Sequence, residues 1–210
     1  SQHVYSNIFT VRQFRRYIPA GMHPMLGDVF NPRGDGHCGF RRISYIVSGG
    51  DDSQYVDMRR RLMEHVTLNW YELYSNIYST DLNGVIHRLG WLWETPCDEA
   101  WWFWNVDLLG YATMFNWTFV VFGPGIRGVP YGETYLPLIV EEVTTAPLGV
   151  SYIVCTGNHW VVLTLDDAIP VLPIPAKSMY WRYWAQDRAK EMWEHDLYRD
   201  EHVEYERLIQ

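Results

Sequence analysis

The sequence predicts one mixed domain in which helices come first and strands later. Three observations carry that reading. Between 38 and 115, apolar residues recur every three or four positions, the spacing of helices with one buried face. From 117 to 165 the apolar runs are short, β-branched or aromatic, and closed by Gly, Pro and Asn, as strands and turns are. The 210 residues, 48% of them hydrophobic, are enough for one substantial core.

Residues 1–25 form a lead-in segment, in which Val11 to Tyr17 reads as a short helix broken by Pro19, Gly21 and Pro24. Leu26 to Phe30 is a short approach to Gly34-Asp35-Gly36-His37-Cys38-Gly39-Phe40-Arg41. Phe40, Ile43, Ile46 and Val47 then keep helical spacing up to Gly49-Gly50, so Cys38 falls at or just before the first turn of a helix. A second helix begins after Asp52 or Ser53, with Met58, Leu62, Val66, Trp70, Leu73 and Ile77 as its buried stripe. Arg59, Arg60 and Arg61 read as its solvated face. Thr95-Pro96-Cys97-Asp98 has the cap, the proline and the acid of a helix start, and Trp101, Asn105, Leu108, Ala112 and Phe115 continue at helical spacing.

Trp117 to Phe122 reads as a buried strand, and Tyr135 to Val140 as an edge strand interrupted by Pro137. Val150 to Cys155 and His159 to Leu165 are the clearest strands, joined by a hairpin turn at Thr156-Gly157-Asn158. Pro170, Pro173 and Pro175 mark a linker over 168–177, and 178–210 reads as a charged helical extension. The main domain is therefore expected over 26–167.

Composition narrows the function classes. A net charge of −8 argues against general nucleic-acid binding by this segment. Three widely spaced cysteines read as a reducing, intracellular setting, cytoplasmic or nuclear, rather than a disulfide framework. They show neither CxxC nor HxxxH spacing, so no metal or other cofactor is expected. Gly123-Pro124-Gly125-Ile126-Arg127-Gly128 lacks the Lys-Ser/Thr ending of a phosphate loop. No apolar stretch is long enough for a membrane helix.

The remaining chemistry centres on Cys38. At a helix start, unpaired N–H groups and the helix dipole favour a thiolate, and the same N–H groups can hold an oxyanion. The alternative is a buried cysteine serving as a small core hydrophobe. A cysteine nucleophile needs an imidazole to take its proton and a group to orient that imidazole. Of the eight histidines, His159 alone stands at a turn-to-strand position between clear strands. Asp28 and Asn31 are polar residues on the approach to the cysteine loop.

These stretches resemble the ovarian tumour (OTU) family of cysteine proteases. Asp35-Gly36-His37-Cys38-Gly39-Phe40-Arg41 resembles the family's D-G-x-C-x-F-R signature. Met58 to Leu62, Trp101 to Phe122 and Gly157-Asn158-His159-Trp160-Val161 follow in the family's order. The combination of the cysteine signature, Tyr135-Leu136-Pro137-Leu138 and the histidine strand looks closest to OTU domains of transposon-derived eukaryotic proteins.

The resemblance spans roughly 26–165 and implies a papain-like α+β fold, a small twisted sheet between helical lobes. It implies Cys38 as nucleophile and His159 as general base. The oxyanion hole would form in the loop of Asp35, Gly36, His37 and Cys38, with Asp35 counted in the catalytic set for shaping it. Asn158 and Trp160, flanking His159, would meet the substrate. The implied reaction is hydrolysis after the C-terminal Gly of ubiquitin, with ubiquitin or polyubiquitin as partner. Where many family members carry Asp or Asn two residues after the histidine, this chain has Val161. Asp28 is then the first candidate to orient His159, and Asn31 the second. The alternatives are a modifier-binding domain with little turnover and a hydrolase for another ubiquitin-like modifier.

Overall fold

The computed structural model describes residues 12–141 and 146–210. Val11 and the ten residues before it lie outside the described residues. Arg15–Tyr17 and Ala20–Met25 are short 3-10 turns that lead into β1 (Leu26–Phe30). Then come α1 (Cys38–Val47), α2 (Tyr55–Leu68), a π-helical turn at Trp70–Tyr74, α3 (Leu82–Leu89) and α4 (Asp107–Phe115). The strands β2 (Thr118–Gly123), β3 (Tyr131–Tyr135), β4 (Val150–Cys155) and β5 (Trp160–Leu165) follow, and the chain closes with α5 (Met179–Trp184), α6 (Asp187–Trp193) and α7 (Arg199–Ile209).

The five strands make one sheet in the order β1-β5-β4-β2-β3. Only β2 and β4 run parallel; the other pairs are antiparallel. Side chains alternate across a strand, and both faces are covered. Phe119, Val121, Ile153 and Trp160 join the core built on α1, α2, α3 and α4. Val120, Phe122, Tyr152, Val154, Val161 and Leu163 face a second core of Phe14, Ile18, Met22, Ile174 and Tyr205. Both cores draw on the C-terminal helices, through Trp181, Ala189 and Trp193 on one side and Tyr205 on the other.

The buried stripe of α2 is as expected, with Met58, Leu62 and Val66 in the core and Trp70, Leu73 and Ile77 continuing it. Three local expectations are corrected. The helix expected from Thr95 is only a 3-10 turn at Glu99–Trp101, capped by Asp98, and regular helix resumes at Asp107. The reason is tertiary: Asp107 accepts from the Trp104 N–H at 2.9 Å while gripping Arg88, which folds 102–106 into a loop. The strand expected over Tyr135 to Val140 ends at Tyr135 instead. Beyond it Pro137 offers no N–H, and Leu138 donates to Thr113 Oγ1 at 3.0 Å rather than to a strand. Finally, Arg59 is fully buried, whereas Arg60 and Arg61 are exposed.

Candidate active site

Cys38 is the first residue of α1, and its N–H is one of those a helix leaves without an internal acceptor. The loop before it is built to close quarters. Gly36 has φ +88°, and a Cβ there would sit 2.1 Å from the Cys97 carbonyl oxygen. A Cβ on Gly39 would lie 2.3 Å from Phe103 Cβ. Glycine is therefore required on both sides of the cysteine.

Asp35 is the clasp of this loop. Its carboxylate accepts from Arg41 Nη2 at 2.7 Å and from the His37 N–H at 3.1 Å, and its carbonyl accepts from the Cys97 N–H at 3.0 Å. Burial alone would raise the carboxyl, but the bonds to Arg41 and His37 outweigh it and hold Asp35 below the usual carboxylate range. Asp35 thus stays charged as a structural anion. His37 is fully buried, with Nε2–H donating to the Thr95 carbonyl at 2.9 Å and Nδ1 accepting from Arg59 Nε at 3.1 Å. Burial pushes its imidazole below the ordinary histidine value. One expectation changes here. The His37 N–H, expected among the oxyanion amides, donates to the Asp35 carboxylate instead.

Arg59 explains why a charge sits in the core. Its guanidinium lies 4.0 Å over the Phe40 ring and also donates to the carbonyls of Trp101 at 2.7 Å and Arg88 at 3.2 Å. Arg88 and Asp107 form a buried bidentate pair at 2.7 and 2.8 Å, and Tyr78 donates to the same carboxylate at 2.8 Å. This network holds the 102–106 loop against Cys38.

Cys38 is 7% exposed and opens on a cavity of about 200 Å³, shared with Gly36, Trp102, Phe103, Trp104, Asn105, Cys155, Gly157, Asn158 and Trp160. The expected thiolate is offset: burial pushes the Cys38 thiol up, and the Trp160 N–H, the Arg42 charge and the Gly39 N–H only partly counter it. Proton removal is therefore a task for a base rather than for the helix terminus.

His159 precedes β5, and its ring Nε2 is 2.5 Å from Asn31 Oδ1. With an amide oxygen as acceptor, Nε2 carries the hydrogen and Nδ1 keeps its lone pair. The Nδ1–Cε1 edge faces the cysteine loop, where a Cβ on Gly34 would lie 4.0 Å away. Burial lowers the His159 imidazole from the ordinary histidine value, so it is neutral and able to accept a proton at neutral pH.

Strand register decides which upstream residue reaches it. Val29 pairs with Leu163 and Phe30 with Val162, which continues to Asn31 opposite Val161. The first candidate, Asp28, lies in the bulged start of β1 beside Thr164, roughly 16 Å along β5 from His159 at 3.3 Å per residue. The hydrogen bond to the His159 ring is thus made by the second candidate, Asn31, and the register sets Asp28 farther along β5. Val161 itself is fully buried in the second core, where an amide or carboxylate would lose its water.

Asn158 and Trp160 both line the cavity. Asn158 Oδ1 accepts from Thr156 Oγ1 at 3.1 Å, so part of its side chain serves the turn. Trp160 packs edge-on to Phe103 at 5.4 Å. Sequence reasoning missed Trp102, Phe103 and Trp104, which an assumed helix had hidden, and Arg42, whose signal is its i+4 spacing from Cys38. Among the described residues no group of His, Cys, Asp and Glu could hold a metal ion, and no helix is long and apolar enough to cross a membrane.

No protein-family model matches the sequence, and no curated protein matches it. Solved structures do. The OTU domain of OTUD1 is 19% identical, with 65% of this chain and 85% of that one covered and a TM-score of 0.50. The OTU domain protease of Taggert virus is 14% identical, with 71% and 85% covered and a TM-score of 0.52. At such identities the likeness is one of backbone architecture, and in that architecture this chain has the fold of OTU domains.

Proposed function

We propose that the protein is a cysteine-type deubiquitinase, hydrolysing the peptide or isopeptide bond after the C-terminal Gly of ubiquitin. The observations that support this reading are Cys38 at a helix start and His159, its Nε2–H held by Asn31 and its ring 4.0 Å from where a Cβ on Gly34 of the cysteine loop would lie. Cys38 Sγ gives its proton to His159 Nδ1 and bonds to the substrate carbonyl carbon. The oxyanion is received by the amides of Gly36 and Cys38. His159 then returns the proton to the leaving amine, and water releases the thioester. Asp35 positions the loop; Asn158 and Trp160 flank the incoming tail. Gly157, where a Cβ would meet nothing within 4 Å, leaves room for a thin Gly-Gly strand in the aromatic cleft. The signature residues Asp35 to Arg41 with Gly157 to Val161 also support kinship with OTU domains of transposon-derived proteins.

A second reading, a modifier-binding domain with little turnover, is favoured by the burial and raised thiol of Cys38. Ubiquitin and a panel of ubiquitin-like modifiers, each carrying a fluorogenic C-terminal amide, separate the readings. Release from ubiquitin is the expected result. Release only from another modifier moves the substrate class, and binding without release supports the second reading.

A further inference from the structure

Arg42 is the unusual cation of the site. It follows Cys38 by one helical turn on α1 and is fully buried. Its guanidinium carbon lies 4.4 Å from the Trp160 ring centre and 4.5 Å from that of Phe103, two walls of the Cys38 cavity. Its Nε, Nη1 and Nη2 have no hydrogen-bond partner among the described residues. Arg59 and Arg88, equally internal, are bonded to carbonyls, to a histidine or to a carboxylate. Desolvating an unpaired guanidinium costs more than two ring contacts return. An unpaid charge of this kind, beside a nucleophile, points to an anion that exists only during the reaction.

We propose that Arg42 is a positioning residue for the nucleophile, a buried cation held without a partner so that the Cys38 thiolate can serve as its counter-ion. This rests on Cys38 being the nucleophile. As the thiol proton passes to His159 Nδ1, negative charge appears on Sγ and is stabilised from within the protein. As the S–C bond forms, the charge moves to the carbonyl oxygen and the oxyanion amides take it over.

The surroundings leave few competing anions. Burial lowers Arg42 to about 10, so it remains a cation at neutral pH. The groups that act on it are the thiols of Cys155 and Cys38, then Tyr111 and Asp107. Asp107 is already engaged by Arg88 and Tyr78. The charged and titratable groups that act on Cys38 are Arg42 on its own helix, Asp35 from the loop before it, Cys97 beside Gly36 and Cys155 from β4. Of these, Arg42 is the cation, and the carboxylate of Asp35 opposes it.

The test is the pH dependence of Cys38 alkylation by iodoacetamide, followed at the Cys38 peptide by mass spectrometry in the wild type, Arg42→Met, Arg42→Lys and Cys155→Ser. Arg42→Met is expected to raise the midpoint by about one unit and slow alkylation at neutral pH about tenfold, without lowering the melting temperature. Arg42→Lys keeps most of the wild-type midpoint, and Cys155→Ser leaves it in place. An unchanged midpoint in Arg42→Met, equal shifts in the Met and Lys variants, or failure of Arg42→Met to fold would each overturn the proposal. No modifier enters the measurement, so its outcome is separate from that of the ubiquitin assay.

Discussion

The two halves of the candidate site are held in place by very different means. The cysteine half is bolted from below. Asp35 is tied to Arg41, His37 to Arg59 and Thr95, and Arg88 to Asp107, all inside the protein. The histidine half rests on a hairpin and on one hydrogen bond, Asn31 to His159, at the solvent-exposed rim. Charged pairs inside a protein cost about 3–5 kcal/mol to break from one side, whereas a neutral hydrogen bond is worth about 0.5–1.5 kcal/mol net. The loop of the proposed nucleophile is therefore fixed by the fold, and the proposed base is the adjustable partner. The difference also separates two histidines. His37 has both ring nitrogens committed to structure, and His159 has one left for chemistry.

The largest effects come from removing either half outright. Cys38→Ala should abolish ubiquitin-amide hydrolysis, and His159→Ala should lower kcat by about 10³-fold or more, with folding intact by circular dichroism. Unaltered turnover in either variant would break the comparison. Next, the scaffold beneath the cysteine should fail thermodynamically. Arg88→Met leaves Asp107 buried and unpaired, for a loss of about 3–5 kcal/mol in urea unfolding. The double variant Arg88→Met/Asp107→Leu should recover part of that loss.

The histidine half should show the opposite signature. Asn31→Ala is expected to lower kcat by about 10- to 100-fold with little change in unfolding free energy, because only the aim of His159 is lost. Asp28→Ala should cost less activity than Asn31→Ala, and the reverse order would restore Asp28 as the orienting group. The smallest effect is on pH dependence. Burial lowers the His159 imidazole, so the proton-accepting form survives below the ordinary value of about 6.5 and is lost as pH falls through the lowered one. The acid limb of kcat/KM should therefore lie below that ordinary value.

Much of the cysteine half was legible in the sequence, because its signals are local. Two glycines, a cysteine and an apolar helical spacing lie within a dozen residues. The strands of the histidine hairpin were legible for the same reason: Val150 to Cys155 and His159 to Leu165 are short β-branched and aromatic runs joined by Thr156-Gly157-Asn158. What the sequence hid is set by pairing at a distance. Asn31 instead of Asp28 follows from the register of β1 against β5, which a bulge shifts. The buried role of Arg59 depends on acceptors from His37, Arg88 and Trp101, residues far apart in the chain. The false helix over 95–115 had local capping and spacing in its favour, and lost to the Asp107 clasp on Trp104 and Arg88.

The most direct measurement is reaction with ubiquitin bearing a C-terminal electrophile, with the site of attachment mapped by mass spectrometry. A single adduct on Cys38, slowed in His159→Ala and less so in Asn31→Ala, is the expected result. A folded wild-type protein that forms no adduct, or one labelled at Cys97 or Cys155 instead, would contradict the assignment of Cys38 and His159 as nucleophile and base.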